Sequence, residues 1–393
     1  MGEEKLVDSR LKFIDVARSF AIIFMLEGHF ISLTYEDYVP VHEAIKANGT
    51  SGYFFLDLWH NLRNYTAPLF FTITGLVLGY LLLGHKGESF WKQKRVSKGW
   101  KRGLMIIGWG YVLQLNLKYY FKSGEIGSNI HTFHVLQCIG TGLLTLIALY
   151  GVHHIFKKVR FSLILFIAGV TVFAFYPVLK SYGGDPVPEG APLFIQNMIY
   201  KHDVGYGAVF TIFPHMGYIL FGACFGALFR EYSKYIKKFW FPLLFVAGSL
   251  LLIYVIKESV RFFVYRYPSD YGFIGGFWLY KRLKYIVIFI GILMYAEQFI
   301  KLKGKFSTLL GKYFIQMGQN TLNIYIVHSI ILYGTITGYG INSIYDKSLS
   351  FGEAAFQAFL FILFFALMTH FQPQIKKALL YFPRKIFLQR DKT

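Results

Sequence analysis

The chain has 393 residues, of which 55% are hydrophobic, 20% aromatic and only 16% charged, whereas a soluble domain of this size carries about 25% charged residues. That balance excludes an ordinary soluble enzyme and makes lipid the expected solvent. The net charge of +20 then reads as membrane topology rather than as a nucleic-acid surface. Cys138 and Cys224 both fall in apolar runs, where thiols behave as small hydrophobes, so neither a disulfide nor a metal role is expected.

Residues 1–12 precede an apolar run that contains Asp15 and Arg18 and has no small-residue cleavage site, which predicts a retained first helix rather than a secretory signal. Crossing about 30 Å of hydrocarbon takes about 20 mostly apolar residues. Ten runs suit that length: 13–33, 65–84, 103–117, 132–150, 161–179, 206–229, 239–256, 283–300, 319–338 and 353–372. The expected fold is therefore all-α, a polytopic membrane protein of about ten transmembrane helices forming one domain over 1–393, with a tail at 373–393. Segments 53–63 and 306–317 mix aromatic and polar residues in the way of short interfacial helices.

Alternate loops hold 27 and 12 Lys plus Arg residues, and the richer side includes both termini. By the positive-inside rule both termini are expected in the cytoplasm. The outward loops 180–205 and 257–282 are long, turn-rich and aromatic, suited to capping a site. No internal repeat or low-complexity tract is present.

Ionisable groups at membrane depth are costly, by about 2.5–3.5 kcal/mol or more on insertion scales, so they usually face a protein interior or a water-filled path. The first run carries four: Asp15, Arg18, Glu27 and His29. Asp15 and Arg18 lie three apart and can pair on one helix face; the blander alternative is an interfacial anchor with a snorkelling arginine. Arg18 and His29 are eleven apart, which puts them within about 20° of one another and about 16 Å apart in depth. An arginine there suits phosphate or carbonyl oxygens of a donor, and a histidine suits a general base or transient nucleophile. A buried structural histidine is the alternative. Glu27 points to a different face from His29.

The stretch RLKFIDVARSFAIIFMLEGH resembles the transmembrane acyltransferase superfamily in its Arg, ten residues, His spacing. That group includes bacterial acyltransferase-3 proteins, which O-acetylate cell-surface glycans, and relatives of heparan-alpha-glucosaminide N-acetyltransferase. NYTAPLFFTITGLVLGYLL at 64–82 resembles the second-helix pattern of the family, and HVLQCIGTGLL, FPHMGYILFGACFGAL and NTLNIYIVHSIIL resemble three further blocks in the same order. The resemblance implies cytoplasmic acyl-CoA, acetyl-CoA first among them, as donor, passage of the acyl group through the helix bundle, and an extracytoplasmic glycan or lipid acceptor. It casts His29 as the catalytic residue and Arg18, with Asp15 beside it, as the motif arginine, whose role is either donor binding or structural support. Two departures stand out. In the heparan-type branch the catalytic histidine lies later than His29, so His42 and His60 compete, and the chain shows no appended soluble acceptor-carrying domain.

Other polar residues extend the candidate set to an acceptor site. His134 and Gln137, with His131 one turn earlier, share the outer end of the fourth run, where interfacial solvation is the alternative reading. His215 follows Pro214, and a role at a helix kink competes with substrate contact. Asn320, Asn323 and Tyr325 precede His328, a set that interhelical hydrogen bonding explains as well as catalysis does. The cationic run 85–102 suits topology and anionic lipid, and also a donor nucleotide. Arg261, Arg266, Lys281 and Arg282 form a basic set on the outer side that suits an anionic headgroup or simple solvation. No phosphate loop, zinc spacing or nucleophile elbow is present.

The sequence thus points to an acyl-CoA-dependent acyltransferase of a bacterial inner membrane, without a metal. It acts on a hydroxyl or amine and leaves the oligomeric state open, a homo-oligomer included. A single passage joining Arg18 to His29 is expected. A secondary transporter or exporter of a lipid or glycan is the runner-up, and an assembly partner for envelope enzymes is the third reading.

Overall fold

The computed structural model describes residues 11–84, 89–125, 127–181, 192–199, 210–266, 277–299 and 305–390. In chain order the helices are α1 (Lys12–Thr34), α2 (Tyr38–Asn48), α3 (Phe54–Arg63), α4 (Thr66–Leu82), α5 (Lys94–Val112), α6 (Leu117–Ser123), α7 (Val135–Ile155) and α8 (Phe161–Ser181). They continue with α9 (Leu193–Ile199), α10 (Ile212–Glu231), α11 (Trp240–Arg266), α12 (Phe277–Phe299), α13 (Lys305–Gln319), α14 (Thr321–Tyr333), α15 (Asn342–Tyr345) and α16 (Phe351–Arg390). The fold is all-α, and each of the ten apolar runs falls on one of these helices. The expected interfacial segments are α3 and α13.

Among the described residues, six helical stretches are long and apolar enough to cross a membrane: Lys12–Thr34, Phe54–Leu82, Val135–Ile155, Ile212–Glu231, Trp240–Phe262 and Phe351–Gln372. Phe161–Pro177 and Thr321–Tyr333 are apolar but shorter. The other expected spans differ for a chemical reason: α5 begins KRVSKGWKR, and α12 carries Lys281, Arg282 and Lys284 on an otherwise apolar sequence. The first of these cation sets becomes part of a cavity wall. The chain is a membrane protein by its helices.

The tightest crossing in the bundle pairs α4 with α10. A Cβ on Gly75 or Gly79 of α4 would overlap the backbone oxygens of Ile219 and Ala223, and a Cβ on Gly222 or Gly226 of α10 would overlap those of Thr72 and Leu76. Each helix therefore presents glycines four residues apart to the backbone of the other, the arrangement by which helices pack in lipid without a hydrophobic driving force. α1 crosses α13 in a similar way, because Ser19 Oγ donates to Phe314 O over 2.6 Å on the helix face that also receives Gly318.

Two apolar cores result, and α1 joins them. Its first half, from Phe13 to Ala21, belongs to a large core with α4, α7, α8, α10 and α12. Its second half, from Ile22 to Ile31, packs instead with residues of α14 and α16. The unfilled space of the bundle lies along this helix.

One loop contact shapes that space. α14 ends at Gly334, whose φ of +64° is a left-handed cap. The chain then clasps the α5–α6 connection, with Ile336 N donating to Leu115 O over 2.9 Å and Leu117 N donating to Ile336 O over 2.8 Å. Thr335 is thereby held beside Gln114 and Asn116, and Asn116 in turn caps α6 by accepting from Tyr119 N.

Candidate active site

Two cavities open along α1. The smaller, about 210 Å³, is lined by Arg18 and by Arg95, Lys98 and Arg102 of α5, with Thr74 and Thr321. The larger, about 680 Å³, is lined by His29, Arg63, Gln114, His134, Gln137 and Thr335 among others. Phe70, Leu136 and Tyr325 line both. Where a single passage is expected, two cavities adjoin at these three side chains. Arg18 and His29 do occupy one face of α1, as the eleven-residue spacing requires, and each faces its own chamber.

In the arginine chamber, Arg18 Nη1 lies 3.7 Å from Asp15 Oδ1, and Asp15 is buried. Asp15 is absent from the chamber wall and acts on the site through Arg18. The cations of α5 face the chamber because Lys94, Arg95, Lys98, Lys101 and Arg102 spread around the first turns, and the face bearing Arg95, Lys98 and Arg102 is the one that turns inward. The sequence had the run 85–102 as a place for a donor nucleotide; residues 85–88 lie outside the described residues.

In the histidine chamber, His328 of α14 lies beside His29. Its Nε2 is 3.4 Å from His29 Nδ1, the ring centroids are 5.4 Å apart, and Tyr333 meets His29 edge to face at 5.7 Å. On its other side His328 Nδ1 is 3.2 Å from Ile324 O. A carbonyl oxygen only accepts, so the proton of neutral His328 sits on Nδ1 and Nε2 is left as an acceptor. His29 Nδ1 must then be the donor across the pair, which leaves the lone pair of His29 on Nε2. This is the tautomer that a general base or nucleophile needs, and it is set by a chain of two hydrogen bonds that begins at a backbone carbonyl.

Around this pair apolar side chains such as Phe24, Leu113 and Phe210 alternate with neutral polar ones, and Arg63 is the one Lys, Arg, Asp or Glu among the residues of the wall. Arg63 lies against Gly28, where a Cβ would come within 3.3 Å of its Nε, and its guanidinium bonds Tyr38 Oη and sits over the Trp59 ring at 5.7 Å. Glu27, on another face of α1 as expected, interacts electrostatically with Arg63 and not with His29. Gln114 donates to Thr132 O over 2.6 Å, fixing its amide. Gln137 is fully buried and fits against α5 because Gly110 has no side chain; a Cβ there would strike the amide.

The remaining candidates separate cleanly. His134 and Gln137 line the histidine chamber as expected, and His328 stands behind His29. His215 does not line either chamber: its Nδ1 faces Thr211 O at 3.0 Å, at the start of α10, and its ring packs on Phe71 and Phe210. Asn320 donates to Gln316 O over 2.8 Å and is likewise outside both walls. Each is bonded to the carbonyl four residues earlier in the chain. His42 and His60, the competitors of His29, form a pair of their own at 2.7 Å outside the chamber walls. Burial and the nearby Lys46 hold the His42 imidazole below the ordinary histidine range.

The outer basic set does not converge. Arg261 pairs with Glu258 at 3.7 Å, Arg282 stacks on Trp278 at 4.3 Å, Lys281 is exposed, and the Arg266 side chain lies outside the described residues. Of the loops expected to cap a site, 182–191, 200–205 and 267–276 also lie outside them, as does 206–209 at the start of the sixth run. Arg63, Thr66, Gln114 and Thr335 were missed in the sequence. Arg63 and Gln114 end amphipathic stretches and carried a weak signal, whereas Thr335 enters only through the clasp onto Leu115.

Comparison with curated proteins gives no match. A family model for the heparan-alpha-glucosaminide N-acetyltransferase catalytic domain matches residues 10–259. The matched segment holds Arg18, His29, Arg63, Arg95, Gln114 and Gln137, while Tyr325, His328 and Thr335 lie beyond it. With most of its length matched and both chambers built in large part from that segment, the chain belongs to the heparan-alpha-glucosaminide N-acetyltransferase catalytic family, a family of membrane acetyltransferases.

Proposed function

We propose that the protein moves an acyl group, acetyl in the first instance, from cytoplasmic acyl-CoA onto a hydroxyl or amine of an extracytoplasmic glycan or lipid. The observation that carries this reading is the pairing of His29 with His328 on the wall of a cavity large enough for an acceptor, adjoining a cavity walled by four cations. Arg18, Arg95, Lys98 and Arg102 suit the phosphates of CoA, since cations in a low-dielectric wall bind phosphate through charge-assisted hydrogen bonds. The thioester then reaches the wall formed by Phe70, Leu136 and Tyr325.

His29 Nε2 takes the proton of the acceptor as its oxygen or nitrogen attacks the thioester carbonyl carbon. The carbon–sulfur bond breaks, and the CoA thiolate leaves and receives that proton. A transient acyl group on His29 is the ping-pong variant, and it uses the same lone pair. The topology belonging to this reading is a bacterial inner-membrane protein with both termini in the cytoplasm, in keeping with the excess of Lys and Arg on that side. The transporter reading is not favoured by the family match.

The test is turnover of acetyl-labelled acetyl-CoA by the detergent-purified protein. The expected result is acetyl-CoA consumption by the wild type and none above background by His29→Ala of the same elution profile. Wild-type turnover in the His29→Ala protein would reject the assignment.

A further inference from the structure

We infer that the hydroxyl of Tyr325 donates a hydrogen bond to the carbonyl oxygen of the acyl donor's thioester and to the oxyanion that forms there during transfer. The inference rests on the acyltransfer reading and adds a catalytic residue that lies beyond the segment matched by the family model.

The first support is position. α1, α4, α5, α7 and α14 each line both cavities. α1 gives Arg18 and Ala21 to the arginine chamber and Phe24 and His29 to the histidine chamber, so on this helix the change falls between Ala21 and Phe24. On α14 it falls at Tyr325 itself, with Thr321 on one side and Ser329 on the other. Of the three side chains that the cavities share, Phe70 and Leu136 are apolar, and Tyr325 alone carries a polar atom. Tyr325 stands one turn, about 4.5 Å of rise, before His328. Its ring meets that of His328 edge to face at 5.0 Å, and His328 lies against His29. The N-terminal ends of α1 and α14 both lie on the arginine side, and helical side chains lean toward that end, so the imidazole of His29 reaches back toward the junction.

The second support is that this hydroxyl is open. Nearby hydroxyls are taken up within their own helices: Thr74 donates to Phe70 O over 2.8 Å, and Ser329 donates to Tyr325 O over 2.8 Å. A phenol hydroxyl stands too far from its own backbone for such a bond. The Tyr325 side chain is partly exposed on the walls of both cavities, and among the described residues its hydroxyl makes no hydrogen bond. Its oxygen is not sealed off as the unpaired amide of Gln137 is. Tyrosine hydroxyls inside a protein usually have a partner, and here the partner comes from the cavity.

The third support is the chemistry required at that level. With the CoA phosphates on Arg18, Arg95, Lys98 and Arg102, the thioester arrives at the junction. As the acceptor attacks the carbonyl carbon, the π pair of the carbonyl moves onto its oxygen, and Phe70 and Leu136 offer nothing to that charge. The Tyr325 O–H does, and it keeps its proton throughout. When the carbon–sulfur bond breaks, the pair returns to re-form the carbonyl, and the thiolate takes the proton held by His29. A donor fixed on a helix, in a site screened from bulk water, stabilises the developing oxyanion more than the ground-state carbonyl.

The experiment uses the purified protein and acetyl-CoA isotopically labelled at the carbonyl carbon. Tyr325→Phe is expected to lower kcat for acetyl-CoA consumption about 10²-fold and to change KM by less than about twofold, while it elutes as the wild type does and is still protected from heat by acetyl-CoA. In the His29→Ala protein, which holds the donor without turning it over, the infrared band of the bound labelled carbonyl is expected below its position in an aprotic solvent. Adding Tyr325→Phe to that protein moves the band back up. Unchanged kcat in Tyr325→Phe overturns the inference and leaves acyl transfer standing. A loss of kcat without movement of the band also overturns it, since the hydroxyl then serves the sulfur or the acceptor. If Tyr325→Phe does not elute as a folded protein, the band in the His29→Ala protein decides alone, and a band at the aprotic position overturns the inference. Absence of acetyl-CoA turnover by the wild type removes the acyltransfer reading and the inference together.

Discussion

The arginine chamber and the histidine chamber share Phe70, Leu136 and Tyr325 and differ in size and in the charge on their walls. The first is about 210 Å³ with four cations on its wall; the second is about 680 Å³, with one cation and a set of neutral donors and acceptors. Charge is held differently as well. In the first, Arg18 is tethered by Asp15 three residues earlier on the same helix, while in the second the His29 tautomer is set by a helix nearly three hundred residues away in sequence. Under the proposed function, the contrast teaches that a charged donor meets a cluster drawn from α1 and α5, whereas the chemistry draws on elements far apart in sequence.

The comparison can be broken most directly at His29. Replacement by Ala removes the base and is expected to lower acyl transfer by about 10³-fold or more, while binding of acetyl-CoA, read by its protection of the protein from heat, is retained. Next comes His328→Leu, which keeps the volume filled but frees His29 to take either tautomer. It is expected to lower kcat by roughly 10²-fold with little change in KM for acetyl-CoA, the signature of a positioning residue.

The opposite split is expected in the other chamber. Arg95→Ala and Arg102→Ala each raise KM for acetyl-CoA about tenfold, by loss of a charge-assisted phosphate contact, and leave kcat at saturation near that of the wild type. A matched loss of kcat in these variants would merge the chambers into one functional unit. Asn320→Ala, outside both walls, is expected to change turnover by less than about twofold, since it removes only a bond to Gln316 O. A large loss in that variant would mean that a further polar residue of α14 takes part.

Much of the fold was legible beforehand because lipid imposes a strong local rule: each backbone group must be satisfied inside its own helix, so apolar length alone locates the helices. The same rule made Arg18 and His29 conspicuous, since two ionisable groups eleven residues apart on one apolar helix need a reason. Legibility is least where a side chain has two uses. His215 and Asn320 both satisfy backbone carbonyls within their own turn, and neither use leaves a mark in a sequence that also offers them as ligands. Arg63 was overlooked because an arginine at the end of an amphipathic segment is ordinary; its place beside Gly28 is not.

What the sequence by itself determined is the solvent, the helices and the face of α1 that carries arginine and histidine, because those follow from composition and from a periodicity that acts within a few turns. The tertiary structure alone decided that two adjoining cavities lie along α1, that glycines of α4 and α10 seat against one another's backbones, and that His328 lies against His29. Those outcomes depend on which helices meet and how closely, and contact between remote segments is fixed by packing of the whole bundle rather than by any local pattern.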